Sequence, residues 1–211
     1  MKFINKYKSP NFNNRLNPKI SFIIIHYTAI KNCNEALTYL CDNKKKVSCH
    51  FLVSQKGEVF SLVDEKKRAW HAGVSSWDSH DDINSKSIGI ELDYSLNKNN
   101  NKFTKKLIDS LILLLEYLIK KYKINNYNVL GHSDIAPERK IDPGKNFPWK
   151  KLYFKDLAFN PNKQLSKKIN IKLLKMWFKK YNIKSEKNIS IFILSYIGYN
   201  CLEAKKNNKV F

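Results

Sequence analysis

Three residues of this sequence have the types and positions expected of a catalytic metal site. His26 and His132 each lie at the end of a predicted β-strand, where a side chain faces a cleft more often than in mid-strand. Asp142 follows ten residues after His132, and Pro143 and Gly144 behind it would hold its carboxylate in a rigid turn. Two imidazoles and one carboxylate are typical of catalytic zinc, with the fourth position left to water. From spacing alone, a polar core histidine and a surface histidine remain the commoner explanation.

A fourth candidate, Glu91, stands on a strand predicted over 87–94, where apolar and polar residues alternate. Such a strand has one apolar face and one face that can hold a site. A lone carboxylate on it must find a partner or serve a function. We therefore expect Glu91 to belong to the site, where a neighbouring zinc ion would favour its ionised form.

Other polar and aromatic side chains could contact a substrate. The substrate-binding candidates are His50, Trp70, Asn84 and Arg139, with Trp77 beside them. Stacking and hydrogen bonds to sugar or peptide would suit them, but core or loop packing explains them equally well. His71, beside Trp70, could also be a substrate-cleft residue, but structural hydrogen bonding explains it and His50, within a predicted strand, at least as well. Neither histidine is assigned to the metal, and His80 is expected to be solvated.

The cysteines suggest free thiols. Cys33, Cys41, Cys49 and Cys201 contain no CxxC pair and no evident disulfide framework, which is typical of a reducing compartment. A zinc knuckle built from Cys41, Cys49 and His50 lacks the usual ligand spacing, and we set it aside.

Predicted strands and helices alternate along the chain, which indicates the α/β class. Strands are expected at 20–27 and 127–130, a hairpin at 48–53 and 58–63, and helices at 34–41 and 104–122. Thr104 is the expected N-cap of the second helix, between a Phe103 and Ile108 staple. Polar loops are expected over 74–85 and from Gly131 to Pro148.

The composition divides the chain near residue 160. Residues 1–160 suit one packed domain, since 43% of the 211 residues are hydrophobic and 13% aromatic. Residues 161–211 contain two short helical patterns, 171–181 and 189–202, and no group of polar residues there suggests a functional site. We expect a linker and a short C-terminal helical appendage there.

The net charge of +21 would attract nucleic acid, anionic membrane or another anionic polymer. The lysines are scattered from Lys2 to Lys209 rather than clustered with aromatics, so we expect no nucleic-acid partner. Residues 1–21 lack the apolar core of a signal peptide, and the most apolar window, 189–199, is shorter than the roughly 20 residues of a membrane span. A cytoplasmic location is expected, with the periplasm or cell envelope as the alternative.

Six motifs occur in an order that resembles a known family. They are SPNFN at 9–13, IHYTA at 25–29, VSCHFLV at 47–53, RAWHAG at 68–73, SIGIEL at 87–92 and GHSDIAP at 131–137. Over about residues 9–155 the chain resembles the zinc N-acetylmuramoyl-L-alanine amidases of the type 2 amidase family. It looks closest to the AmiD branch, a sister of the AmpD enzymes within the peptidoglycan recognition protein superfamily. An ordered set of motifs is more specific than any one alone.

The resemblance implies a role for each site residue. His26, His132 and Asp142 match the ligands of one zinc ion, and Glu91 matches the catalytic carboxylate that holds the zinc-bound water. Lys140, two residues before Asp142, matches the lysine that stabilises the developing oxyanion. The implied fold is a central mixed β-sheet flanked by helices, with the zinc site at one edge of the sheet.

The implied reaction is hydrolysis of the amide between N-acetylmuramic acid and L-alanine in peptidoglycan or muropeptides, during cell-wall turnover or recycling. Peptidoglycan fragments are the expected partners and a monomer the expected state. The alternative is a catalytically weak muropeptide-binding protein of the same fold, which predicts loss of a ligand or of Glu91, yet all are present. Residues 161–211 resemble a truncated remnant of a peptidoglycan-binding module. The choice between intact wall and soluble fragments stays open.

Overall fold

The computed structural model describes residues 2–16, 18–77, 80–96, 102–136 and 139–158. Their strands are β1 Phe12–Asn14, β2 Phe22–Tyr27, β3 Phe51–Val53, β4 Val59–Ser61, β5 Lys67–Ala69, β6 Ser87–Leu92 and β7 Val129–Gly131. The helices are α1 Cys33–Cys41, α2 Ile83–Lys86, α3 Lys105–Tyr122, α4 His132–Ile135 and α5 Trp149–Tyr153, with 3₁₀ turns at Asn43–Lys45 and Asn126–Asn128.

A mixed five-stranded sheet with the order β4-β3-β6-β2-β7 forms the centre of the domain. Strands β3, β6, β2 and β7 run parallel, and β4 returns antiparallel to β3 as the predicted hairpin. β2 lies in the interior of the sheet and is buried along nearly its whole length, which explains its almost entirely apolar sequence. Because the parallel strands share a direction, their carboxyl ends meet at one edge of the sheet.

Helices cover both faces of this sheet. The apolar stripe of α3 packs against one face, and its buried residues are Leu107, Ile108, Leu111, Ile112, Leu114, Leu115 and Leu118. Thr104 caps α3 as predicted, its Oγ1 accepting a hydrogen bond from the Leu107 N–H at 3.2 Å. On the other face α1 buries Ala36, Leu37 and Leu40 against Leu52 of β3 and Phe60 of β4. The predicted α/β class and mixed sheet are confirmed.

The structure corrects several local expectations. The strand predicted at 127–130 is Val129–Gly131, because Asn125 caps a 3₁₀ turn over the preceding residues. Each expected loop contains one helical turn: Asp82 caps α2, and α4 begins directly after β7. The strands β1 and β5, which pair antiparallel with each other, were not predicted from the sequence.

The structure does not test the C-terminal predictions. The helical patterns at 171–181 and 189–202, and the appendage as a whole, lie outside the described residues. Within the described ranges, no helix is both long and apolar enough to cross a membrane.

Candidate metal centre

His26, His132 and Asp142 converge at the carboxyl-terminal edge of the sheet. His26 lies near the end of β2, and His132 is the first residue after the neighbouring strand β7. The His26 Nδ1 atom lies 2.9 Å from His132 Nδ1, and each nitrogen lies 3.1 Å from Asp142 Oδ2. Tetrahedral ligands bonded to zinc at about 2.0–2.1 Å are separated by roughly 3.3 Å. The triangle of donor atoms therefore has the size that one metal ion requires.

The protonation states of these groups also suit metal binding. Burial, followed by the proximity of His132, lowers the pKa of His26 to about 4, so this imidazole is neutral near pH 7. Burial opposes ionisation of Asp142, but hydrogen bonds and charge from His132 and His26 outweigh it and lower its pKa below the usual range. A carboxylate and a neutral imidazole are the ligand forms that metals bind.

The second nitrogen of His132 fixes the orientation of that ring. His132 Nε2 lies 3.1 Å from the Ala72 carbonyl oxygen. Because a carbonyl oxygen can only accept, Nε2 carries the proton and the neutral ring directs its Nδ1 lone pair at the other two ligands. These three buried residues can thus hold a metal ion.

Glu91 lies beside this cluster. Residues in register on neighbouring parallel strands share a face, and Glu91 of β6 is in register with His26 of β2. Its Oε2 atom is buried and has no hydrogen-bond partner among the described residues. Burial and then the negative charge of Asp142 raise the pKa of Glu91 to about 8, while Lys140 acts in the opposite direction. A buried carboxylate with a free oxygen can exchange a proton with a small molecule bound beside it.

Lys140 is half-buried in the segment that leads to Asp142. Its backbone N–H donates to the Ala136 carbonyl at 2.9 Å. Its positive charge contributes to lowering the pKa of both His26 and Glu91, so the ammonium acts on the centre electrostatically. The role of Lys140 in stabilising an oxyanion stays a prediction.

Two of the predicted substrate residues face the protein interior. His50 is fully buried, with its Nδ1 accepting from the Gly89 N–H at 2.9 Å and its Nε2 donating to the Lys67 carbonyl at 3.0 Å. Asn84 is 5% exposed, and its Oδ1 accepts from the N–H groups of His71 and Ala72 at 3.0 and 2.8 Å. These polar atoms are engaged by the protein, which agrees with structural hydrogen bonding, and substrate contact by His50 and Asn84 stays a prediction.

The other two candidates remain accessible. Trp70 is half-buried, and its Nε1 donates to Asn13 Oδ1 at 2.9 Å. Arg139 is exposed, and its Nη2 donates to the carbonyls of Ala72 and Val74 at 2.9 and 2.7 Å. Ala72 O is also the acceptor of His132, so Arg139 lies at the rim of the centre. Contact of Trp70 and Arg139 with substrate stays a prediction.

The sequence left His71 as either a substrate-cleft residue or a structural one, and the structure shows that it contacts the candidate metal ligand His26. His71 Nδ1 lies 3.0 Å from His26 Nε2, and its Nε2 lies 3.1 Å from Ser87 Oγ. Burial and the neighbouring His26 lower the pKa of His71 well below its ordinary value, so the ring is neutral. The one available signal was its place within the RAWHAG motif. His80, expected to be solvated, is half-buried and packs edge-on against Phe22.

Comparison with known proteins agrees with this geometry. The model of the family Amidase_2, N-acetylmuramoyl-L-alanine amidase, matches residues 16–145. The N-acetylmuramoyl-L-alanine amidase AmiD of Escherichia coli K12 is 38% identical over 163 residues, which are 70% of this chain and 57% of AmiD. The 1,6-anhydro-N-acetylmuramyl-L-alanine amidase AmpD of Haemophilus influenzae is 35% identical over 163 residues, 68% of this chain and 87% of AmpD.

A solved structure extends the similarity to three dimensions. It is E. coli AmiD in complex with its substrate anhydro-N-acetylmuramic acid-L-Ala-D-γ-Glu-L-Lys. The TM-score is 0.70 at 26% identity, covering 94% of this chain and 84% of that one. The family resemblance predicted from the motifs is confirmed: the chain belongs to the Amidase_2 family of N-acetylmuramoyl-L-alanine amidases.

Proposed function

We propose that this protein is a zinc-dependent amidase that hydrolyses the bond between N-acetylmuramic acid and L-alanine in peptidoglycan fragments, in cell-wall turnover or recycling. The observation that carries the proposal is the convergence of two imidazoles and one carboxylate beside a buried, unpaired Glu91 oxygen. The relatives are named for the same reaction, and AmiD has been solved with a muropeptide substrate.

Zinc is the metal that suits this set of donor atoms. Imidazole nitrogens and a single carboxylate oxygen are borderline ligands, whereas magnesium and calcium prefer sites built from oxygen alone. Catalytic zinc sites commonly have three protein ligands and keep one position open. When bound by His26, His132 and Asp142, the ion would supply a Lewis acid that polarises a carbonyl and makes water more acidic.

The chain's own residues would move the proton and balance the charge. Glu91, through its free oxygen, would accept a proton from the attacking water and then deliver it to the nitrogen of the departing alanine. The ammonium of Lys140 offsets the negative charge that accumulates on the scissile carbonyl oxygen. The two groups thus divide acid–base chemistry and electrostatic stabilisation between them.

Substrate would be held at the rim of the centre. The exposed guanidinium of Arg139 is suited to a peptide carboxylate, and the half-buried face of Trp70 to a sugar ring. Residues 161–211 are proposed as a remnant of a peptidoglycan-binding module. A monomeric state and a cytoplasmic location remain predictions from the sequence.

A mass-spectrometric assay of a purified muramoyl-tripeptide tests the proposal. The protein is assayed as purified, after chelation, and after zinc is restored, and a substrate with D-alanine at the first position serves as the control. We expect free tripeptide to appear with the L-alanine substrate, to stop on chelation and to return with zinc. Zinc binding without release of tripeptide would instead favour the muropeptide-binding alternative.

A further inference from the structure

A chain of buried hydrogen bonds extends from the proposed zinc ligand His26 through His71 and Ser87 to the Ile83 carbonyl. His26 Nε2 lies 3.0 Å from His71 Nδ1, and His71 Nε2 lies 3.1 Å from Ser87 Oγ. Ser87 Oγ also lies 2.6 Å from the carbonyl oxygen of Ile83. His26, His71 and Ser87 are all buried. Because solvent does not reach them, the proton positions along this chain are set by the protein alone.

The carbonyl at one end fixes the direction of every bond. The oxygen of Ile83 can only accept, so the single proton of the Ser87 hydroxyl is donated to it. Ser87 Oγ must then accept from His71 Nε2–H. A neutral His71 protonated on Nε2 has a bare Nδ1, which accepts from His26 Nε2–H. The proton of His26 is therefore on Nε2, and its Nδ1 lone pair faces His132 and Asp142.

The backbone holds the His71 ring in place for this role. A Cβ atom built on Gly89 would lie 2.5 Å from His71 Cδ2 and 2.7 Å from His71 Nδ1, so only glycine leaves room for the ring against β6. Asn84 Oδ1 accepts from the backbone N–H groups of His71 and Ala72. The short segment 71–72 thereby orients both histidine ligands: the His71 side chain contacts His26, and the Ala72 carbonyl accepts from His132.

We propose that Ser87 and His71 hold His26 in the one tautomer that can bind the metal through Nδ1. His71 is thus a positioning residue that acts through His26 and touches neither metal nor substrate. This inference rests on the proposed function, because it requires that the centre bind zinc. Groups that orient a metal-bound histidine in this way strengthen metal affinity about 10–100-fold.

Competition with a chromogenic chelator measures the zinc affinity that this chain supports. We expect Ser87→Ala and His71→Leu to weaken zinc binding by about 10–100-fold. His71→Asn should recover most of the affinity, because its Oδ1 can occupy the place of Nδ1 and still accept from His26. Ser85→Ala is the matched control: this buried serine, two residues from Ser87, accepts from the Leu16 N–H and takes no part in the chain. Its zinc affinity should be unchanged.

The ¹⁵N resonances of the histidine side chains report the tautomer independently of affinity. In metal-free wild-type protein His26 should be protonated on Nε2 alone, whereas in Ser87→Ala and His71→Leu it should exchange between both tautomers. Wild-type affinity in these two variants, an unchanged His26 tautomer, or an equal loss in Ser85→Ala would overturn the proposal. A wild-type chain that binds no zinc would instead contradict the proposed function.

Discussion

Two buried polar clusters, each built around histidine, lie on either side of β6 and differ in how their polar atoms are satisfied. In the first, His50 has a protein partner for each ring nitrogen, and Arg15 donates to four backbone carbonyls. Those carbonyls belong to Glu65, Asn84, Ser85 and Ser87. In the second, His26, His132 and Asp142 direct three acceptor atoms at one another, and Glu91 leaves one oxygen unpaired.

This difference separates a structural cluster from a functional one. Buried polar atoms without partners are costly, and in native proteins they mark places where another molecule or ion completes the bonding. In the Arg15–His50 cluster four backbone carbonyls accept from the guanidinium, and the cluster has no excess of acceptors. The metal centre has an excess of acceptors, which a cation can satisfy. An excess of acceptors, rather than burial, distinguishes the metal centre from the Arg15–His50 cluster.

The largest effect is expected from Glu91→Gln, which keeps the shape of the side chain and removes its basicity. Loss of a general acid–base group lowers the rate by about 10²–10⁴-fold, so kcat for the muramoyl-tripeptide should fall by that factor while zinc stays bound. Asp93→Asn, which alters another buried carboxylate two residues further on, should retain activity. Normal turnover by Glu91→Gln would refute the assigned role.

A smaller loss is expected from Lys140→Met, which keeps most of the stem and removes the charge. Removing one electrostatic contact to a developing oxyanion costs about 10²–10³-fold in kcat. Because Lys140 favours the ionised form of Glu91, the variant should also raise the pKa of Glu91 and move the acidic limb of the pH–rate profile to higher pH. A variant that changes only KM would place Lys140 in substrate binding.

The structural cluster should respond in stability and not in chemistry. Arg15→Met leaves buried carbonyls without a donor, and we expect the free energy of unfolding to fall by about 1–3 kcal/mol in urea denaturation. Lys105→Met, which breaks an exposed ion pair with Asp109, should change it by less than about 0.5 kcal/mol. Zinc affinity should be normal in both variants. Loss of zinc binding in Arg15→Met would contradict the purely structural role of the Arg15–His50 cluster.

An effect of similar size is expected in the acid dependence of stability. Burial and then the charge of Arg15 lower the pKa of His50 to about 3. Below pH 6.5 His50 is protonated in the unfolded chain but stays neutral in the folded protein. The free energy of unfolding therefore falls as the pH falls toward 3, by about 1.4 kcal/mol per pH unit. His50→Asn should lose the part of this pH dependence that comes from His50. Urea denaturation between pH 6 and pH 4.5, with metal removed by a chelator, measures the difference. An identical acid slope in the variant would contradict the assigned pKa.

The sequence predicted the metal centre better than its surroundings. His26 and His132 could be predicted because they lie at strand ends, and parallel strands bring such ends together. His50 packs against Arg15, which is 35 residues away in the chain, and nothing local signals that contact. The role of His71 depends on the missing side chain at Gly89 on another strand. Both arrangements therefore depend on packing across the sheet, which residue spacing does not encode.

The most direct test of the account is X-ray absorption at the zinc edge, recorded on the chain loaded with one equivalent of zinc. We predict two imidazole nitrogens and light oxygen ligands at about 2.0–2.1 Å, with no sulfur in the shell. Asp142→Ala should lose this site, whereas Cys49→Ala should retain it. A sulfur ligand at about 2.3 Å, or a failure to bind zinc at all, would contradict the claim that the three convergent acceptors are completed by a metal ion.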